Sequence, residues 1–278
     1  MTATDLLKTG WDWEPSVVIG CAALAVAYLI FVGPALRPCR RASARRGPTT
    51  FFLAGIVILF LDLASPIDLL GDQYLFSAHI VQHFVLALIV PPLLILGIPQ
   101  WFAKAALKRP MVARFEREIA HPPVSWLLGA GVMIIWHVPL LFNAALANEG
   151  LHIIQHLSFL VTGVIFWWPV LTPVEGHRIA PLGAITYLFG ACLSCSLLGA
   201  ALTFAHPGLY PAYLSPDDRL GILPLLREQW GLDPQNDQQL GGLLMWIPGC
   251  FVYLTGILAT VARWYEGGYE EAPASRTL

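Results

Sequence analysis

Charge is what this sequence has least of. Asp, Glu, Lys and Arg make up 12 % of its 278 residues, about half the ~25 % of an ordinary soluble domain. A water-soluble surface needs more than that, which argues against a soluble enzyme and points to lipid as the solvent. A basic excess is also missing. With 16 Lys+Arg against 18 Asp+Glu, no nucleic-acid partner is expected. A disulfide framework is missing too, because Cys21, Cys39, Cys192, Cys195 and Cys250 are an odd set scattered mostly through apolar runs. Cys192 and Cys195 form a C-x-x-C inside a greasy segment. Small packing residues are the ordinary reading, and a redox or metal pair is the alternative, since a reactive thiolate needs an accessible, electropositive setting. The first turns hold Lys8 with Asp5, Asp12 and Glu14, so no cleavable signal peptide is expected.

What is abundant is apolar. Hydrophobic residues reach 56 % and Trp occurs ten times. A membrane span takes about 20 apolar residues, and seven stretches qualify: 16–36, 49–65, 75–98, 123–146, 151–172, 180–205 and 239–264. The expected fold is an all-α polytopic membrane protein, with seven transmembrane helices in one bundle and a single transmembrane domain over 1–278. The loop 206–238 carries five prolines and several acids and does not span; a short surface helix is expected near Leu220–Trp230.

The cations set the orientation. With the N-terminus outside, the inner segments hold Arg37, Arg40, Arg41, Arg45, Arg46, Lys104, Lys108, Arg109, Arg114, Arg117, Arg178, Arg263 and Arg276. Only Lys8, Arg219 and Arg227 remain outside. The positive-inside rule therefore favours an outer N-terminus and a cytoplasmic C-terminus. Most acids, among them Asp12, Glu14, Asp68, Asp72 and Asp237, then face outward, where they would attract a cation.

Of eight histidines, His121, His177 and His206 fall at span ends and read as interfacial. The other five are more informative. His79 and His83 are spaced i, i+4, and His152 and His156 repeat that spacing. Residues four apart share a helix face, so each pair aims two imidazoles one way. At about 1.5 Å per residue, His79 and His152 lie roughly 2–6 Å below the outer boundary. His83, His156 and His137 are deeper. Polar side chains inside spans are costly and read as functional by default; interhelical hydrogen bonding is the bland alternative. Imidazole suits copper, zinc, iron and nickel alike. Met245, at similar depth, would add a thioether favouring Cu(I), or simply fill the core. Asp62, Asp68 and Asp237 line the same side. They would either orient ligand imidazoles or cap helix N-termini.

Several motifs share one resemblance. Ser65-Pro66-Ile67-Asp68 precedes Phe76-Ser77-Ala78-His79-Ile80-Val81-Gln82-His83 and then Pro91-Pro92-Leu93-Leu94. Trp136-His137-Val138-Pro139, His152 to His156, Phe166-Trp167-Trp168-Pro169, Leu209-Tyr210-Pro211 and Asp237-Gln238-Gln239-Leu240-Gly241-Gly242 follow. In this order, over about residues 11–265, they resemble the CtaG family of cytochrome c oxidase assembly factors. The resemblance implies a multi-pass protein of the bacterial inner membrane that helps assemble a haem–copper oxidase. It also implies copper as the metal, a site toward the periplasm, and oxidase subunits, lipid and periplasmic copper chaperones as partners. The family often carries Met directly after the first His; this chain has Ile80 there.

The leading reading is thus a non-catalytic assembly factor that binds copper at His79, His83, His137, His152 and His156 and supports its insertion. A haem protein and a copper transporter are alternatives. A di-iron oxygenase is a further one, though such enzymes use about eight histidines with adjacent pairs, which this chain lacks.

Overall fold

The computed structural model describes residues 2–32 and 43–270. Cys39, Arg37, Arg40, Arg41 and Arg276, named above, lie outside the described residues. Among the described residues the structure is helical, with no strand.

Prolines open most of the elements. Pro15, Pro66, Pro110, Pro122, Pro139 and Pro181 each occupy a first helical position, where the missing N–H costs nothing and φ is already set. A short N-terminal helix α1 (Ala3–Thr9), opened by a Thr2–Asp5 capping box, is followed by α2 (Pro15–Phe31) and α3 (Ser43–Ala64). The Ser65 hydroxyl then accepts from the Ile67 N–H and starts α4 (Pro66–Gln73). Helix α5 (Phe76–Phe84) runs through a π-helical turn, Val85–Ile89, into α6 (Val90–Leu96). Pro91 and Pro92 have no N–H to give to the preceding turn, and a helical ring there crowds the carbonyls four residues back. The wider turn lets the chain keep one continuous course.

Two amphipathic helices, α7 (Gln100–Leu107) and α8 (Pro110–Ile119), precede α9 (Pro122–Trp136), and α8 meets α9 at a 63° bend. The expected span 123–146 is not one helix. Pro139 forces the residue before it out of the helical region, and Val138 is extended at φ −63°, ψ 125°. The chain restarts as α10 (Pro139–Ala147). Helices α11 (Glu149–Leu171), α12 (Pro181–Phe204) and α13 (Pro234–Glu270) complete the order. The last begins five residues before the expected boundary at 239. In the loop before it, a π-helical turn at Leu225–Gln229 stands where the surface helix was expected.

Among the described residues, five helical stretches are long and apolar enough to cross a membrane, or up to six if α8 and α9 count as one bent span. Helix α2 is apolar but only 17 residues long. Side chains such as Phe189, Leu197, Phe251 and Leu258 point outward, each at least 60 % exposed, as lipid contact requires. Inside, glycines let backbones approach. A Cβ on Gly163 of α11 would lie 2.8 Å from the Ala87 carbonyl in the π turn. A Cβ on Gly199 of α12 would lie 2.8 Å from the Trp246 backbone nitrogen on α13. Small residues at such crossings are how helices pack without a hydrophobic drive between them.

Candidate metal centre

Helices α5 and α11 each carry the sequence His-x-x-Gln-His, at His79–His83 and His152–His156. The fold brings the two motifs together. Ring centroids are 5.2 Å apart for His79 and His152, and 5.7 Å apart for both His79–His156 and His83–His156. Along each helix the paired rings are 4.4 Å apart on α5 and 4.1 Å on α11. His79 and His83 are fully buried. Neither nitrogen of His79, nor Nε2 of His83, His152 or His156, has a hydrogen-bond partner.

His137 joins from the break between α9 and α10. Its Nδ1 lies 2.6 Å from the Met133 carbonyl, which can only accept, so Nδ1 carries the proton. Its Nε2 therefore offers a lone pair to Nδ1 of His83, 3.5 Å away. That places a proton on His83 Nδ1 and leaves the His83 Nε2 lone pair free. A carbonyl–imidazole chain of this kind fixes which nitrogen of a ligand histidine faces an ion.

The carboxylates divide among roles. Asp237, at the start of α13, accepts from the backbone N–H groups of Phe76 and Ser77 at 2.7 and 3.0 Å and from the Ser77 hydroxyl at 2.5 Å. It caps α5 from another helix and so fixes the turn that carries His79. Asp68 accepts from Gln82 Nε2 at 2.7 Å, and the same nitrogen reaches the Asp62 carbonyl at 3.3 Å. The Asp62 carboxylate is buried with both oxygens unpartnered. Met245 sits in the apolar core, where its carbonyl accepts from the Cys195 thiol.

Asp72 is the site residue that sequence reasoning missed. It lies in the last turn of α4, and one oxygen lies 3.5 Å from His152 Nε2 and 3.8 Å from His79 Nδ1. Burial pushes its carboxyl up to about 8, with the negative charges of Asp68 and Asp12 adding to the rise. Burial likewise raises Asp68 to about 6; the Gln82 hydrogen bond opposes this, while Asp12 and Glu14 add to it. The available signal was its i+4 spacing from Asp68, which puts both acids on one face of α4.

Aromatic residues wall the layer. Phe142 of α10 is fully buried, with its ring 5.0 Å from His79 and 5.9 Å from His83. Phe159 lies 4.4 Å from His83. From the loop after α12, Tyr210 stacks on Phe76 at 4.7 Å and donates to the His137 carbonyl at 2.8 Å. Tyr213 donates to the Gly71 carbonyl at 2.8 Å. The loop 206–238 thus folds back over the site.

Among the described residues, two sets of donors have the spacing to hold an ion: His79, His83 and His156, and Asp72, His79 and His152. In each set one donor atom from every residue lies within 4.8 Å of the others. His121, His177 and His206 are elsewhere; His177 lies beside Glu116 at 3.1 Å, and His206 accepts from the Gly208 N–H.

Fold and site together define a helical membrane protein built around a layer of five clustered imidazoles, four of which carry a ring nitrogen with no hydrogen-bond partner. Residues 26–267 match the family described as cytochrome c oxidase caa3 assembly factor (Caa3_CtaG), and the chain belongs to that family. An uncharacterized protein of Mycobacterium leprae is 26 % identical over 234 residues, covering 78 % of this chain and 34 % of its own length. Uncharacterized proteins of Mycobacterium bovis and Mycobacterium tuberculosis are each 26 % identical over 269 residues, covering 91 % of this chain and 39 % of theirs. The chain spans less than two fifths of the length of these relatives. No solved structure matches it.

Proposed function

We propose that this chain is a non-catalytic assembly factor of a haem–copper cytochrome c oxidase, which takes up copper as cargo at the histidine layer and supports its insertion into an oxidase subunit. One observation carries the reading: ring nitrogens of His79, His83, His152 and His156 converge with no hydrogen-bond partner. A buried polar atom left unpaired costs about 1–3 kcal/mol, and several at one place are a poor design for packing. They fit a cation that takes nitrogen lone pairs. The donor set suits copper and does not by itself name it; the family supplies that preference. Bound there, the ion would be held by neutral imidazoles, with His137 orienting His83.

The haem alternative fits less well. Phe142 and Phe159 occupy the space beside His79 and His83, where a haem plane would need an open slot. A transporter would want polar groups along a whole path, and the core below the layer is lined by Phe166, Trp167, Leu188 and Tyr253.

The reading includes a topology. Seven crossings, formed by α2, α3, α5–α6, α9–α10, α11, α12 and α13, would make one transmembrane unit with an outer N-terminus and a cytoplasmic C-terminus. The site then faces the periplasm of a bacterial inner membrane, open to copper chaperones there. A reporter fused after Arg109 should behave as cytoplasmic and one within 206–238 as external; the reverse at both places overturns this topology. For copper, the purified chain is loaded, desalted and analysed for metal. Wild type should retain copper that a His83→Ala, His156→Ala double variant does not. Equal retention by the two would remove copper from the function and leave assembly to protein contacts.

A further inference from the structure

The imidazole layer holds two positions for an ion, at different depths and with different donors. The deeper is bounded by His79, His83 and His156, and the outer by Asp72, His79 and His152. The deep set is all nitrogen. The outer set includes a carboxylate and reaches solvent: the Asp72 side chain is 34 % exposed and that of His152 15 %. On α5 and α11 respectively, His83 and His156 lie one turn below His79 and His152, which is about 6 Å along the axis at 1.5 Å per residue.

His79 belongs to both sets, and this constrains how they work. A neutral imidazole has a single lone pair; its other nitrogen carries a proton. His79 can therefore serve one ion at a time unless it is stripped to an imidazolate. We propose that the two positions are occupied in turn. A divalent cation from the outer side is first held by Asp72, His79 and His152, and then passes inward as His83 and His156 replace Asp72 and His152. His79 is the ligand common to both states. This rests on the metal-binding reading above and adds an order of events to it.

The surroundings suit such a sequence. Asp68 and Asp12 act electrostatically on Asp72, and Asp12 and Glu14 on Asp68, so acidic side chains gather around the outer position, where they attract cations. A partly exposed carboxylate can take an ion that still keeps some of its water. The deep position has no such oxygen and demands full dehydration. Passing through the outer one divides that cost into two steps. The ion keeps its oxidation state throughout, and each ligand is exchanged for another without any bond being broken elsewhere.

The test uses the full chain purified in detergent, with Cu2+ as the probe and electron paramagnetic resonance as the readout. Wild type should bind about one Cu2+ per chain at saturation, ending in a nitrogen-only spectrum. Asp72→Asn, nearly isosteric, should reach the same spectrum and stoichiometry with loading slowed about tenfold, the lower end of what perturbing a metal site's surroundings costs. His83→Ala should hold its ion with mixed oxygen and nitrogen ligands and yield it to a chelator at least about tenfold faster than wild type. Two ions bound at once by wild type would overturn the proposal. So would Asp72→Asn loading at the wild-type rate, or a nitrogen-only spectrum in His83→Ala. Wild type that binds no Cu2+ would overturn both this order of events and the metal reading beneath it. The other three results would leave metal binding standing and remove only the relay.

Discussion

The polar groups of the α12–α13 pair and those of the histidine layer handle burial in opposite ways. Along α12 and α13 the hydroxyls bond back within their own helix: Ser194 to the Gly190 carbonyl, Ser196 to Cys192, Thr203 to Gly199 and Thr260 to Gly256. The thiols pair across the helices, with Cys192 and Cys250 sulfurs 3.4 Å apart and Cys195 donating to the Met245 carbonyl at 3.4 Å. Every one of these groups has a local acceptor, so the pair packs without needing anything from outside. In the histidine layer the backbone is equally regular, yet the imidazole nitrogens are left open. Local back-bonding is a solution that a short hydroxyl can reach; an imidazole projects too far and must find a partner between helices. Of the five histidines of the layer, His137 and His83 have done so. The others stand as donors in waiting.

The sharpest way to break this contrast is to remove the open nitrogens. His83→Ala with His156→Ala should abolish copper retention in metal analysis while circular dichroism shows an unchanged helix content, because the bundle rests on apolar packing. His121→Ala and His177→Ala should retain copper like wild type. Double variants that unfold but bind metal would reduce the histidines to structural bridges.

A second prediction asks whether the layer depends on its aromatic wall. Phe142→Ala should cost about 3 kcal/mol, typical of a large buried ring replaced by a cavity, read as a lower midpoint in thermal unfolding in detergent. A cost under ~1 kcal/mol would mean that α10 is not a fixed wall of the site.

The cap from α13 is next. Asp237→Ala removes three acceptor contacts from the start of α5 and should cost about 1–2 kcal/mol. Hydrogen exchange at Phe76 and Ser77 should rise before that of the rest of α5. Uniform exchange across the helix would remove Asp237 as its anchor.

Asp72 offers a pH test. Its carboxyl is raised to about 8 in the fold by burial and by neighbouring acids, against about 3.9 in an unfolded chain. Between those values the folded state binds more proton than the unfolded one, so this group's contribution to stability falls as pH rises. Asp72→Asn should therefore stabilise the apo protein more at pH 8.5 than at pH 6. An equal gain at both values would show that Asp72 titrates normally.

The smallest effect should come from the other side of the comparison. Replacing Cys192 and Cys250 together by Ser keeps a small polar pair and should shift copper retention not at all and stability by less than ~1 kcal/mol. Lost copper in this variant would give the thiols a role that their present pairing denies them.

The membrane character was plain in the sequence, because lipid leaves a bulk signature: few charges, long apolar runs and prolines between them. The family was plain as well, in motifs spread along most of the chain. So was the candidate histidine set, since i, i+4 spacing becomes a shared helix face whatever the tertiary fold. What periodicity lacks is the distance between helices. That α5 and α11 face each other, bringing His79 to His152, depends on Gly163 admitting the π turn to close contact. That Asp72 belongs with the histidines depends on α4 folding beside α5; its i+4 spacing from Asp68 puts the two acids on one face but does not say what that face meets. The span expected over 123–146 runs straight through Pro139; that the helix breaks there and delivers Phe142 and His137 into one layer emerged only in the fold. Tyr210 and Tyr213 reach the same place from a loop whose own pattern says only that it does not span. Local sequence determines which way a side chain leaves its helix; only the contacts of one helix with the next decide what it meets.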